Sequence, residues 1–285
     1  MSLLGIVTIL AAGGNVVSLG LAGPTLELFA YLLTYNHRSL RRDYLADLIW
    51  EDLESARSRA ALNTALWRVR RAVAALPGMT LESDSAKVRI SIDATVRLDT
   101  LRLRLVMDQA VAAFDAKAGL PTEIRVELAD MLGRCDGDFL DGCNSSWVLV
   151  VREEYFNLRL RGLALLMQDA GIRSVYEDAL SFGRRILAVD PFREAVQCEM
   201  LWLYMLSGRR AVAIRHYRDY AEMLRRELGI TPMAETRAVY DAICADANQE
   251  KALFNSGAPP APVVLLGAIE RDRRSFYRAH FVPGA

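Results

Sequence analysis

The chain has 285 residues, 52% of them apolar, so it is long enough for two domains with sizeable cores. Its 35 basic and 35 acidic side chains cancel, which excludes a polybasic protein and requires any nucleic-acid contact to come from a local patch. No run reaches the ~18 uninterrupted apolar residues of a membrane span, so no membrane partner is expected. The opening "MSLLGIVTILAAGG" lacks the basic start of a secretion signal. With Val16 and Val17 after Gly13-Gly14 it reads as strand, turn and strand over about 3–11 and 15–19.

"LAGPTLELFAYLLTYN" follows, where Gly23-Pro24 opens a helix and Leu28, Phe29, Leu32 and Leu33 form its apolar stripe. In "SLRRDYLADLIW", Ser39 is the expected N-cap of a second helix that turns Leu45, Leu48 and Ile49 to the core. A short link, "EDLES", leads to a third helix from about Ala56 to Leu76, stopped by Pro77-Gly78. A hairpin turning at Asp84-Ser85 then buries Val88, Ile90 and Ile92 and exposes Arg89 and Ser91.

On a helical wheel the third helix places Leu62, Leu66, Val69 and Val73 within about 60° of one another. Arg57, Thr64, Trp67, Arg68 and Arg71 fall on the outer side, with Arg59, Asn63 and Arg70 on a flank. Guanidinium groups around slim residues suit phosphates and guanine edges in a major groove, although an Arg-rich outer face by itself is usually solvated. The setting favours DNA. A helix, a short link, this helix and a hairpin bearing Lys87 and Arg89 stand in the order of a winged helix-turn-helix. Trp67 points outward, either under the wing or onto DNA.

From about Asp99 to Ala247 strand signals vanish, and helical periodicity runs between breaks at 118–121, 136–144, 171–174, 190–192, 207–209 and 229–233. Ala179, Gly183 and Ile186 recur as Ala213, Tyr217 and Tyr220 at an offset of 34, the period of tetratricopeptide-type helix pairs. Tyr204, Tyr217 and Tyr220 are expected to pack between repeat helices, and Trp50 and Trp202 to lie in the core. "NSGAPPAP" (255–262) has linker composition, and 263–280 is apolar enough to dock on the repeats or on a partner.

Cys135, Cys143, Cys198 and Cys244 form no CxxC pair, and His37, His216 and His280 lack metal-ligand spacing. P-loop, GxGxxG and GxSxG motifs are missing, so no catalytic constellation, metal or cofactor is expected. The scattered thiols point to a reducing cytoplasm, where they are expected to be buried. Charge divides as 11 basic to 9 acidic over 1–98, 19 to 23 over 99–247 and 5 to 3 over 248–285.

Residues 3–97 resemble the OmpR/PhoB-type winged helix of bacterial antibiotic-regulatory-type activators, through "LLG", "AYLLTYNHRSLRRDYLADLIWED" and "ALWRVRRAV". Residues 99–247 resemble the bacterial transcriptional activator domain that follows it, through "GDFLDG", "AVDPFREAV" and "ELGITPMAETRAVYDAI". The resemblance implies a mainly α protein with a small β part. Its N-terminal winged helix-turn-helix (1–98) binds DNA, an all-α tetratricopeptide-like helical repeat domain (99–247) follows, and 248–285 form a linker and tail.

It implies a cytoplasmic, nucleoid-associated transcriptional activator that binds double-stranded promoter DNA and RNA polymerase, as a homodimer or higher oligomer. Carried over by position, Thr64, Arg68 and Arg71 face bases and phosphates, with Lys87 and Arg89 on the wing. Arg57 and Trp67 complete the DNA-facing set, and the loop Glu51, Asp52, Leu53, Glu54, Ser55 takes the place of polymerase contact. The chain departs from the family with Lys87-Val88 where a Gly-Tyr pair usually closes the wing, and with Ala65 in place of a polar residue. Those departures bear on the base contacts. The alternative is a non-catalytic protein-protein adapter whose winged helix no longer binds DNA.

Overall fold

Gly23 (φ 53°) and Pro24 start the first helix, α1 (Pro24–Thr34), where a missing proline N–H costs no helical hydrogen bond. Its stripe of Leu28, Phe29, Leu32 and Leu33 is fully buried. The computed structural model describes residues 1–5, 7–9, 19–117, 119–134 and 137–255. Most of the N-terminal strand–turn–strand therefore lies outside the described residues. The described part bridges Ser2 to Thr8 and Leu4 to Phe139.

Ser39 is not a helix cap. Leu40 and Arg41 form β1 (Leu40–Arg41), which pairs antiparallel with β3 (Lys87–Ile92) in the register Leu40↔Val88 and Arg41↔Lys87. That pairing holds the backbone extended up to Arg41, so α2 (Arg42–Ile49) starts three residues after Ser39 and without a side-chain cap. Leu45 and Ala46 are its buried residues, whereas Leu48, Ile49 and Trp50 are only half-buried.

The third helix, α3 (Ser55–Val73), begins at Ser55, which thus belongs to the helix rather than to the link before it. It ends earlier than the expected Leu76, because Ala75 and Leu76 donate to Ala72 and Val73 in tighter i→i+3 turns. Gly78, at φ 83°, then leads into β2 (Met79–Ser83). β2 and β3 pair antiparallel from Met79↔Ile92 to Ser83↔Val88, giving a three-stranded sheet in the order β1-β3-β2. Val88 and Ile90 are buried beneath the exposed Lys87 and Arg89, as the strand alternation predicts, whereas Ser91 and Ile92 are both half-buried.

The elements described beyond the sheet are helices: α4 (Asp99–Lys117), α5 (Thr122–Arg134), α6 (Ser146–Ile172), α7 (Tyr176–Leu187), α8 (Glu194–Leu206), α9 (Arg210–Leu228) and α10 (Ala234–Asn255). Every break between them falls where the sequence places one. α10 runs past residue 247 because "ANQEKALF" holds neither Gly nor Pro. The linker and tail beyond Asn255 lie outside the described residues, as does the expected docking of 263–280.

The chain divides into two compact units. One comprises residues 1–107 and 130–158, the other 108–129 and 159 onward. In the first, Tyr31 of α1 meets Trp147 edge-on at 4.9 Å between ring centroids, and Phe139 stacks on Tyr155 at 5.6 Å. Arg152 donates to the carbonyls of Phe139, Leu140 and Cys143 and so fixes the loop before α6. Asp99 accepts from the backbone N–H groups of Leu3, Leu4 and Thr100, which ties the N-terminus to α4.

In the second unit, α7 to α10 form two stacked helical hairpins. Ala179, Ile186 and Ala213 are fully buried, and a Cβ on Gly183 would lie 2.4 Å from Met200 Sδ. A larger residue there would have to displace the Met200 and Met167 side chains. Tyr204 and Tyr220 are buried as expected, while the half-buried Tyr217 stacks on Tyr240 at 4.0 Å. Trp202, expected in the core, is half-buried. The thiols of Cys143, Cys198 and Cys244 are also half-buried rather than enclosed. Gly229, at φ 68°, caps α9 in the left-handed conformation.

Candidate nucleic-acid interface

α3 owes its position to its apolar side. Leu62, Ala65, Leu66, Val69, Ala72 and Val73 are buried against α1, α2 and β2. Ala65 is 2% exposed and part of this packing, so its side chain takes no part in an outward contact. Ser58 is buried as well and Ala61 half-buried, and the rest of the helix is exposed.

Arg57, Thr64, Trp67, Arg68 and Arg71 are all exposed, as are Lys87 and Arg89 on β3. Thr64, a slim exposed position, turns its hydroxyl back to the Ala60 carbonyl at 3.2 Å. Trp67 is 60% exposed, so its indole is not tucked under the wing, and the Arg71 guanidinium lies 5.8 Å from its ring centroid. Arg57, Arg68 and Arg70 make no ion pair among the described residues.

A second stripe of α3 lies toward the wing. Arg59, Asn63, Trp67 and Arg70 line a groove of about 530 Å³ whose other walls include Arg42 and Asp43 of α2 and residues 83–85 at the β2–β3 turn. Of these, only Trp67 belongs to the outer set read from the sequence. Arg59, Asn63 and Arg70 stand on the flank, and nothing in the sequence around Arg42 marks it. Their spacing of four and seven residues between 59, 63 and 70 marks one helical face, but not which element covers it.

Charge at the groove is mixed. Arg59 meets Asp43 at 3.9 Å, both well exposed, a loose pair of little energetic weight. Asp84 accepts from the backbone N–H groups of Ala86 and Lys87 at 2.7 and 2.8 Å. Those bonds hold its carboxyl below the usual carboxylate range and fix the turn at the wing tip. Arg42 closes the groove floor by donating to Ser83 Oγ at 2.6 Å and to Asn63 Oδ1.

The link before α3 is acidic and open. Glu51, Asp52, Leu53 and Glu54 are exposed, with Leu53 41% accessible, and the Glu54 carbonyl accepts from the N–H groups of Arg57 and Ser58. Ser55, also exposed, is the first residue of α3. Among the described residues no group of His, Cys, Asp and Glu side chains is arranged to hold a metal, and no helix is long and apolar enough to cross a membrane.

Comparison with known proteins places this geometry in a context. The chain is 28% identical over 206 residues to the regulatory protein AfsR of Streptomyces coelicolor, an alignment covering 72% of this chain and 20% of AfsR. It is 24% identical over 232 residues to the transcriptional regulatory protein MoaR1 of Mycobacterium tuberculosis, covering 76% of this chain and 70% of MoaR1. It thus spans about a fifth of one relative and most of the other. Among solved structures, Mycobacterium tuberculosis EmbR in complex with a low-affinity phosphopeptide superimposes with a TM-score of 0.69 at 18% identity, covering 98% of this chain and 68% of EmbR. That likeness establishes the fold: mainly α, with a small sheet and a helical repeat region. Residues 98–244, more than half of the chain, match the bacterial transcriptional activator domain, and the chain belongs to that family.

Proposed function

We propose that the protein is a cytoplasmic, nucleoid-associated transcriptional activator that binds promoter DNA through its winged helix (1–98) and contacts RNA polymerase through the exposed acidic loop 51–54 and Ser55. The observation that carries this reading is the outer face of α3. Arg57, Arg68 and Arg71 stand exposed around Thr64 on a helix whose opposite side is sealed into the core, with Lys87 and Arg89 on the adjoining hairpin. An α-helix entering a major groove needs cations for phosphates and guanine edges and a slim residue at closest approach. The helical repeats of 99–247 serve self-association and regulation. One recognition helix covers about half a turn of DNA, so a dimer on half-sites a helical turn apart supplies the specificity.

A mobility-shift assay of the full chain against its own promoter region tests this. A complex that weakens steeply with added salt is expected, because each phosphate contact releases counterions. The absence of a shift even at low salt, about 50 mM, refutes DNA binding.

The adapter reading draws on charge. Residues 1–98 carry 11 basic and 9 acidic side chains, a net of +2, and Asp43 and Asp84 lie at the groove. Failure to shift any DNA together with capture of polymerase by the intact chain would favour it.

A further inference from the structure

Arg42 joins three elements. It is the first residue of α2, and its guanidinium donates to Ser83 Oγ at 2.6 Å, to the Asp84 carbonyl at 3.3 Å and to Asn63 Oδ1 on α3. Its backbone N–H donates to the Ala86 carbonyl at 2.9 Å, so both ends of the residue are tied to the wing turn. A guanidinium only donates. The Asn63 amide must therefore turn its oxygen toward Arg42, which directs its NH2 group the other way. No hydrogen bond from that NH2 group occurs among the described residues. Asn63 is exposed and lines the open groove on the wing side of α3, one helical turn before Trp67.

An unconstrained asparagine reads adenine by donating to N7 and accepting from N6. Here Arg42 already holds the oxygen, and the two donors have no partner among the described residues. We propose that Arg42 is a positioning residue that orients Asn63 so that its NH2 group reads an acceptor on a base edge in the major groove, a purine N7 or a base carbonyl. The inference rests on the DNA-binding reading above. It adds a specificity determinant outside the Arg57–Thr64–Arg68–Arg71 face, and it makes the reading head depend on the wing, because the wing turn holds Arg42.

The test uses the full chain and a binding sequence selected from a random duplex pool, with every single-base variant titrated at one salt concentration. Asn63→Ala is expected to flatten the preference at one base pair by about fivefold or more, the lower end of a direct base contact. Arg42→Ala should flatten the same position, and the double variant should be no worse there than Asn63→Ala alone. Arg42→Lys, also a pure donor, should keep the preference. Thermal melting checks that each variant is folded. If Arg42→Ala does not melt cooperatively, Asn63→Asp takes its place: it leaves Arg42 in position but presents no donor, so it too should lose the preference. Retention of the wild-type preference by Arg42→Ala, or by Asn63→Asp where that variant stands in, overturns the inference. So does an affinity loss spread evenly over all base variants, which marks a phosphate contact. A wild-type chain that selects no sequence instead overturns the DNA-binding reading, and this inference with it.

Discussion

α3 and α9 invite comparison: each has 19 residues and five arginines, and each buries an apolar stripe. What differs is where the arginines go. On α9, Arg210 donates twice to the Ile243 carbonyl, Arg218 donates to the Tyr240 hydroxyl and Arg226 pairs with Glu227. On α3, Arg57, Arg68 and Arg70 have no ion pair among the described residues, Arg71 lies over Trp67, and Arg59 has only the loose contact to Asp43. Equal composition thus yields one helix that bonds two of its cations, Arg210 and Arg218, to α10 and another whose cations reach a neighbouring element only through the loose Arg59–Asp43 contact. Composition alone cannot separate the two.

The comparison predicts equal behaviour first. Leu66→Ala in α3 and Leu224→Ala in α9 remove side chains that are 4% and 2% exposed, so each should cost roughly 2–5 kcal/mol through the cavity left behind. Thermal melting or denaturant titration reads this. A loss well under 1 kcal/mol in either would mean that its stripe is not part of the core.

The arginines should then behave oppositely. Replacing both Arg68 and Arg71 by Ala should leave stability within about ±0.5 kcal/mol per exposed site. DNA affinity should fall by roughly 1–3 kcal/mol per base-reading contact, and the salt slope by about one for each lost phosphate contact. A double variant that binds its operator like wild type would reduce α3 to a solvated helix and leave the adapter reading in place.

Arg210→Ala should show the converse. Its charge-assisted bonds to a backbone carbonyl are partly buried, so their loss should cost about 1–3 kcal/mol of stability, with single-site DNA affinity unchanged. Equal stability with weakened DNA binding would erase the contrast between the helices.

The smallest effect concerns pH. Burial holds His216 on α9 below its usual pKa despite Asp219 nearby, and its ring packs against Tyr204 at 5.5 Å. The unfolded chain therefore takes up the proton first as pH falls. The stability gained from keeping His216 neutral is complete above its unfolded pKa of about 6.5 and declines as pH drops below it. Denaturant unfolding at pH above and below that value should show a decline that His216→Gln flattens. An identical pH slope in both proteins would show that the ring is not held neutral.

Much of this architecture is legible in the chain itself. The helix breaks at 118–121, 136–144, 171–174, 190–192, 207–209 and 229–233 are set by local chemistry, Gly and Pro chief among it, and the 34-residue offset identifies the close-packed positions Ala179, Gly183 and Ala213. The outward side of α3 follows from its 3.6-residue period, since a buried stripe fixes its own opposite face. Local propensity and periodicity are properties of neighbouring residues, and a sequence states them directly.

Long-range pairing decided the rest. Ser39 looks like a helix cap, yet Leu40 and Arg41 extend because a strand almost fifty residues later pairs with them. Arg42 reads as an ordinary charge at the start of a helix. Only the approach of Ser83 and Asp84 on one side and Asn63 on the other turns it into the tie between wing and recognition helix. The two helices with five arginines each diverge for the same reason. Whether a cation is engaged depends on which carbonyl, hydroxyl or carboxylate the fold brings within hydrogen-bonding distance, and those partners lie up to 33 residues away on α9. The sequence determined which elements form and which faces they bury. The tertiary structure alone determined which polar groups meet, because a hydrogen bond needs its partners within about 3 Å, a condition no local pattern encodes.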